Sequence, residues 1–473
     1  MKVEQIYTGC LAQGAYYIES KGEAAIIDPL REVEPYIAMA EKRNAKIKYI
    51  FETHFHADFV SGHIDLAAKT GAEIVFGPTS MEMGFKATVA KDNQEFMLGD
   101  AKIRVIHTPG HTLESSCFLL INEEGKEESI FTGDTLFIGD VGRPDLAQKV
   151  IKDLTPELLA SHLFDSLRNK LMPLSDDLIV YPAHGAGSAC GKNMSKETSD
   201  TLGNQKKTNY ALRADMTREE FIAELLNGLT PPPGYFPQNV LMNIKGYDSI
   251  DTVMDRGTKA LTPIEFELVA NETGAILLDT RSPQEFAAGF IPNSVNIGID
   301  GSFAVWVGTM IPDVKQEILL ITEPGREEEV ITRLARVGYD FSIGYLKGGF
   351  DAWKASGKEI DQIQSISPAE LHAIMEKEPV NILDVRKASE YFSEHIIDAE
   401  NAPLDYINDS MTKVDKNKTY YVHCAGGYRS MIFTSTLRAR GYNNLIDVKG
   451  GFKEIKETGK FNVSDYVCPS TML

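Results

Sequence analysis

Between Lys48 and His63 the chain reads KYIFETHFHADFVSGH, and His54, His56 and Asp58 recur there at every second position. In extended backbone alternate side chains leave on one side, so this spacing aims three ligand-type groups into one small volume. Such crowding is costly unless a cation sits among them. Further groups follow other β-forming runs: IRVIHTPGH delivers His111, SIFTGD delivers Asp134 and DLIVYPAH delivers His184. Each apolar run hands over a His or Asp where it ends, as expected of a sheet with a metal site along one edge. Cys190 follows His184 within the Gly-rich HGAGSACG, near enough along the chain to reach the same place and handle sulfur. Arg143 and Arg213 are candidates for gripping a carboxylate or phosphate on a substrate.

A second chemistry sits near the other end, where the strand TYYVH runs into Cys424-Ala-Gly-Gly-Tyr-Arg-Ser and then a helical stretch. A cysteine at a strand end, followed by Gly426-Gly427 and a helix start, is ringed by backbone N–H groups. Those donors and the positive helix end would hold a sulfur anion. Arg429 would add charge or brace the loop. Cys10, Cys117 and Cys468 carry no local activating feature, and His63, His107, His162, His372, His395 and His423 read as structural.

The elements that must position these groups follow from pattern. Residues up to about 30 read as a hairpin, GAYYIE and AAIIDP about a turn at Lys21-Gly22. An amphipathic helix over 33–44 leads into the strand that ends at His54. A short helix over 65–70 precedes the strand AEIVF. Strand and turn signals run on through 135, with a helix near 155–170. From Asn193 to Leu229 the pattern is helical, and Thr217 with Glu220 spells a capping box before Pro231-Pro232-Pro233. The PPPGYFPQNVLMN segment reads as a tail packed back on its own domain. This order suits two sheets faced with helices.

Beyond it the chain repeats itself. ILLDTRSPQEF matches NILDVRKASEY with Asp279 and Asp384 offset by 105 residues, and LKGGFDAWKASGK matches VKGGFKEIKETGK with Gly348 and Gly450 offset by 102. Two copies of one α/β unit follow, which gives three domains: 1–255, 256–361 and 362–473. In the first copy the strand ILLIT runs into Glu323-Pro324-Gly325-Arg326, with Glu323 where the cysteine belongs and Phe290 in place of His395.

A chain of 473 residues is too long for one core, and its 43% hydrophobic and 25% charged content is that of globular protein. A net charge of −20 disfavours nucleic acid and anionic membranes as partners. No signal peptide is readable in MKVEQIYTGC and no apolar run reaches membrane length. Five scattered cysteines point to a reducing cytoplasm rather than a disulfide scaffold.

HCAGGYRS, with LDVR upstream and KGGF downstream, resembles the rhodanese family of sulfurtransferases. That resemblance implies that Cys424 is the nucleophile carrying sulfane sulfur as a persulfide and that Ala425, Gly426, Gly427, Tyr428, Arg429 and Ser430 cradle it. Asp384 and Arg386 hold the framework, and the first copy resembles an inactive rhodanese domain. THFHAD with TPGHT, FTGDTLF and YPAHG resembles the metallo-β-lactamase superfamily, an αββα sandwich, so the expected class is α/β: that sandwich followed by two α/β domains with parallel sheets. Hydrolases of the superfamily place a histidine after the aspartate, where this chain has Phe59. With GDVGRPDL at 139–146, the whole resembles the persulfide dioxygenase–rhodanese fusion enzymes. This resemblance implies one Fe(II) on His54, His111 and Asp134, with His56, Asp58 and His184 orienting ligands or water. It also implies small-molecule partners: a thiol persulfide, O2, sulfite and thiosulfate. A homo-oligomer is expected. A dizinc thioester or lactone hydrolase would use the same six residues with His56 as a direct ligand, and the rhodanese pair alone would be a sulfur-carrier or docking module.

Overall fold

The strand Gln13–Ser20 is buried on both faces, and this double burial sets the layering of the first half of the chain. Tyr16 and Ile18 enter one hydrophobic cluster, Ala15 and Tyr17 another. The alternation continues in its sheet, where Phe51 and Val75 face one way and Ile50 and Ile74 the other. A strand covered on both sides has no wet face, so its sequence reads as an unbroken apolar run. The computed structural model describes residues 1–146, 154–229 and 231–468.

Six strands form the first sheet in the order Lys2–Thr8, Gln13–Ser20, Glu23–Ile27, Lys46–Glu52, Glu73–Phe76, Thr88–Val89. The second runs Asp200–Thr201, Ile179–Pro182, Glu127–Gly133, Ser116–Ile121, Ala101–His107, Glu95–Leu98. Phe51 and Val75 from one sheet meet Phe118, Leu120 and Phe131 from the other in a shared core. Each such side chain contributes roughly 1.5–3 kcal/mol on burial. The helices Glu34–Lys42 and His63–Thr70 cover the outer face of the first sheet through Tyr36, Ala40 and Leu66. Pro156–Ser166 and Arg218–Leu226 cover the second through Ala160, Leu163, Phe221 and Leu225. The result is an αββα sandwich.

One local expectation needs correction. The stretch 193–229 is helical only over Leu202–Thr208, Tyr210–Leu212 and Arg218–Leu226. Its start cannot coil because the Asp140 carboxylate accepts the Lys192 and Asn193 amides and Ser195 N–H bonds the Ile138 carbonyl. The capping box is present, with Thr217 and Glu220 each accepting the other's amide. The segment read as a tail packed back on its own domain does pack there, as a helix, Phe236–Lys245, whose Ile244 joins the core under the first sheet.

The later half holds two five-stranded parallel sheets of one topology. The first runs Ala260–Leu261, Ser342–Leu346, Ile318–Ile321, Ile276–Asp279, Val295–Asn296. The second runs Ser365–Ile366, Leu445–Val448, Tyr420–His423, Asn381–Asp384, Glu400–Asn401. Asp279 sits beside Ile321 and Asp384 beside His423, so Thr322 stands where Cys424 stands. Glu323, the residue expected there, is one position further along. The apolar run ILLIT suggests a five-residue strand, but sheet pairing ends at Ile321 and leaves Thr322 as the first loop residue. The chain divides into two compact units, Met1–Thr252 with Leu334–Gly338, and Val253–Arg333 with Tyr339–Leu473; both parallel sheets belong to the second. Among the described residues no helix is long and apolar enough to cross a membrane.

Candidate metal centre and sulfur-binding loop

Four loops that follow strand ends of the sandwich meet at one buried point. His54 follows Lys46–Glu52, His111 follows Ala101–His107, Asp134 follows Glu127–Gly133 directly, and His184 follows Ile179–Pro182. Gly133 makes the meeting of the two sheets possible: its φ is +53°, and a Cβ there would lie 2.6 Å from the Thr53 side chain. Only glycine tolerates both the left-handed backbone and that approach.

His54, His111 and Asp134 bring ligand atoms within 4.8 Å of one another, all buried. His54 Nε2 and His111 Nε2 lie 3.8 and 3.5 Å from Asp134 Oδ2. The other nitrogen of each ring is engaged, His54 Nδ1 with the Thr53 hydroxyl at 3.0 Å and His111 Nδ1 with the Arg143 carbonyl at 2.8 Å. Such partners fix ring orientation and leave Nε2 for a metal. Burial, then the neighbouring His56, holds His54 well below the usual imidazole range, so it is neutral, as a ligand must be. Burial would raise the Asp134 carboxyl, but His184 outweighs it through charge and a hydrogen bond, and the group stays ionised. His54 Nε2 and Asp134 Oδ2 have no hydrogen-bond partner among the described residues. Buried polar atoms orphaned around a common point are what an absent cation leaves behind. The donor set fits a divalent metal with open positions.

His56 turns elsewhere. Its Nε2 lies 3.1 Å from Asp28 Oδ1 and 3.6 Å from Glu52 Oε2. Asp28 also accepts the Thr53 amide and hydroxyl, and Glu52 accepts the Ser61 hydroxyl. Burial, then Asp28, holds the Glu52 carboxyl well above its usual range. His63 approaches Glu52 at 3.7 Å, and burial brings its pKa down to about 3. Asn243 completes this arrangement, donating to the His56 and Phe59 carbonyls and accepting the Ser61 amide. Sequence reasoning missed Asp28, Glu52 and Asn243. The first two carried a signal, acids at the ends of the strands AAII and KYIF, but nothing local marks an asparagine inside a helix.

Asp58, His184 and Cys190 form an adjoining buried group, again within 4.8 Å. His184 lies between two carboxylates, Nε2 2.8 Å from Asp58 Oδ2 and Nδ1 2.7 Å from Asp134 Oδ1. Burial opposes its protonation, but Asp134 and Asp58 prevail and hold it well above the usual histidine range. Burial, then Asp58 and Asp134, pushes the Cys190 thiol up, which makes it a poor nucleophile as it stands. Arg143 lies near this group, its backbone amide on the Cys190 carbonyl, while its guanidinium forks onto Asp145. Arg213 is not brought here: it is an exposed side chain forked onto Asp215.

In the last sheet Cys424 is 1% exposed beneath the exposed Ala425 and Gly426. The Gly427 amide donates to its Sγ at 3.1 Å, at the start of the helix Tyr428–Ala439. Arg429 forks onto Glu390 at 2.6 and 2.8 Å, so it braces the loop. The Ser430 hydroxyl donates to Asp447 at 2.8 Å.

A metallo-beta-lactamase from Staphylococcus aureus subsp. aureus COL is 32% identical with a TM-score of 0.64, covering 73% of this chain and 98% of that one. The chain belongs to the metallo-beta-lactamase superfamily. The superfamily's profile matches residues 8–184, and the profile for the rhodanese-like domain matches 262–356 and 367–458. The metallo-beta-lactamase domain is thus followed by two rhodanese-like domains, and its His/Asp cluster is the metal-binding site of that fold. A cytoplasmic hydroxyacylglutathione hydrolase of Arabidopsis thaliana is 37% identical over 139 residues, 28% of this chain and 53% of its own length. The hydroxyacylglutathione hydrolase GloC of Haemophilus influenzae is 28% identical over 41% of this chain and 94% of its own. The chain spans about half the length of the first curated relatives it matches.

Proposed function

We propose that the first domain is a non-haem Fe(II) dioxygenase of a low-molecular-weight thiol persulfide, linked to a sulfurtransferase step at Cys424 that yields thiosulfate. The observation that supports this reading best is the orientation of His56. It joins Asp28 and Glu52 rather than the triad, which leaves two histidines and one carboxylate for a single ion. A ferrous ion held by His54 Nε2, His111 Nε2 and Asp134 Oδ2 would supply the redox chemistry by which O2 reacts with sulfur. The chain's own groups prepare that place. The Arg143 carbonyl and Thr53 hydroxyl orient the two rings, and His184 occupies Asp134 Oδ1, leaving Oδ2 free.

The first half-reaction converts a persulfide RSSH, O2 and water into the thiol RSH, sulfite and two protons. In the second, the Cys424 thiolate takes sulfane sulfur from another RSSH, releasing RSH. Sulfite then attacks the outer sulfur of the Cys424 persulfide, and the S–S bond breaks to give thiosulfate and the thiolate. The same transfer run backward would feed persulfide from thiosulfate. A cytoplasmic setting, a homo-oligomeric state and small-molecule partners belong to the same proposal.

A second reading rests on the Asp58, His184 and Cys190 group, whose spacing would also admit a second ion. It is a dizinc thioester hydrolase, in keeping with relatives named for hydroxyacylglutathione. Metal content after anaerobic purification, with oxygen uptake on a thiol persulfide, separates the two. One iron per chain with uptake favours the first; two zinc ions with hydrolysis of a hydroxyacylglutathione thioester favours the second. His54→Ala should lose the iron, whereas His56→Ala should keep it. Loss of the iron in both would overturn the single-ion reading.

A further inference from the structure

The cysteine-less rhodanese-like domain meets the loop of the other at Tyr428. Its hydroxyl donates to the Gly298 carbonyl at 2.6 Å, and its ring lies against Gly301, where a Cβ would fall 2.4 Å from Cε2 and 2.5 Å from Cζ. At Gly298 a Cβ would lie 3.3 Å from the same ring. Any side chain at 301 would push the ring away. The segment that grips Tyr428 is itself fastened. The Arg333 guanidinium donates to the Ile299 carbonyl at 2.7 Å, the Ile299 amide bonds the Thr280 carbonyl, and Arg326 forks onto Asp300 at 2.8 and 2.7 Å.

Arg326 lies in the loop after Thr322, four residues past the position equivalent to Cys424, just as Tyr428 lies four past Cys424 itself. The two corresponding residues therefore hold one segment from both sides. Further contacts keep the helix that starts at Tyr428 in place: the Asn296 amide donates to the Ser435 hydroxyl, and Gln284 donates to Asp447, the carboxylate that receives Ser430. Because Cys424 is nearly enclosed, the position of this helix start governs both the amide facing its sulfur and the opening above it.

We propose that the first rhodanese-like domain is the positioning half of the sulfurtransferase site: its Gly298–Gly301 segment, braced by Arg326 and Arg333, sets Tyr428 and thereby the Cys424 loop. Tyr428 and Arg326 are positioning residues. The inference rests on the sulfurtransfer reading of Cys424.

The test uses the full chain with Gly301→Ala, Tyr428→Phe, Arg326→Gln and Arg326→Lys. Sulfur transfer from thiosulfate to cyanide and the pH profile of Cys424 alkylation by iodoacetamide are measured, with oxygen uptake as a control for Gly301→Ala and Arg326→Gln. Displacing a positioned group by a fraction of an ångström to one ångström costs roughly 10–100-fold in rate, so Gly301→Ala should lower kcat by about that factor. Its alkylation profile should move along the pH axis. Tyr428→Phe and Arg326→Gln should lower kcat less, and Arg326→Lys should recover part of the loss, since it keeps charge without the fork. Variants within about twofold of the parent in kcat, with an unmoved alkylation profile, would overturn the proposal. If Gly301→Ala fails to fold, the Tyr428 and Arg326 variants decide it by the same criteria. A parent chain without sulfur transfer whose alkylation profile still moves in the variants would sink the reading of Cys424 and leave the positioning role standing.

Discussion

The two rhodanese-like domains share a framework to the level of single hydrogen bonds and differ in the loop that carries Cys424. Arg281 forks onto Asp279 and reaches the Gly289 carbonyl; Arg386 forks onto Asp384 and reaches the Glu394 carbonyl. Each guanidinium lies over a phenylalanine ring, Phe350 in one and Phe452 in the other. The differences gather at the end of one strand, where Ile321, Thr322 and Pro324 stand for His423, Cys424 and Gly426. Gly325 and Gly427 both adopt φ +92°, yet the Gly325 amide is given to Glu327 and the Gly427 amide to the Cys424 sulfur. A fold and its chemistry are thus carried by separate residues, and one can be lost while the other persists.

Cys424→Ser should break the chemistry and spare the framework. Loss of the nucleophile is expected to lower thiosulfate-to-cyanide transfer by at least about a thousandfold. Oxygen uptake should continue, with product shifting from thiosulfate to sulfite. Thr322→Val in the other domain should change transfer by less than about twofold, because the Thr322 hydroxyl is buried without a partner among the described residues. Activity lost in Thr322→Val would mean that the two strand ends are not as unequal as their loops suggest.

Asp279→Asn and Asp384→Asn probe the shared part. Asp384→Asn leaves a buried guanidinium without its counter-charge, which costs roughly 3–5 kcal/mol; at Asp279 burial already opposes the charge, so Asp279→Asn should cost less. Hydrogen exchange of the strands Ile276–Asp279 and Asn381–Asp384 reads the loss locally, as suits a chain of several domains. A smaller loss at Asp279 than at Asp384 sharpens the comparison. Equal losses would mean that burial does not set the two aspartates apart.

Much of this was legible in the sequence, and the parts that were not share a cause. The repeat, the glycine-flanked cysteine and the His/Asp groups at strand ends are local patterns. The β-rich, helix-punctuated order spelled two sheets faced with helices, and the motif resemblance implied the αββα sandwich. What stayed hidden depends on partners distant in the chain. Asn243 serves the loop at His56 from more than 180 residues away, and Gly298 serves Tyr428 from 130. The Thr322 register could not be read because an apolar run does not reveal where sheet pairing stops. Arg213 looked available as an isolated arginine, yet Asp215, two residues on, occupies it.

The smallest expected difference lies in how acid acts on the two aspartates. Burial pushes both carboxyls up. At Asp279 burial prevails over Arg281, whereas at Asp384 the nearby His423, 3.9 Å away, and the Arg386 fork outweigh it. Asp384 therefore binds its proton less tightly in the folded chain than in the unfolded one. Its contribution to stability is complete above the ordinary aspartate pKa of about 4 and is lost as pH falls through the lowered value. Asp279 behaves oppositely: its ionised form costs stability at neutral pH, and that cost fades as pH falls through the raised value. Acidification should accordingly favour exchange protection of Ile276–Asp279 over Asn381–Asp384. His423→Ile, which installs the residue found at 321, removes the first of the influences that lower Asp384; burial lowers the pKa of His423 itself, so its charge appears only in acid. In that variant the two strands should respond to acid alike, and a persistent difference would assign the asymmetry to something other than the histidine.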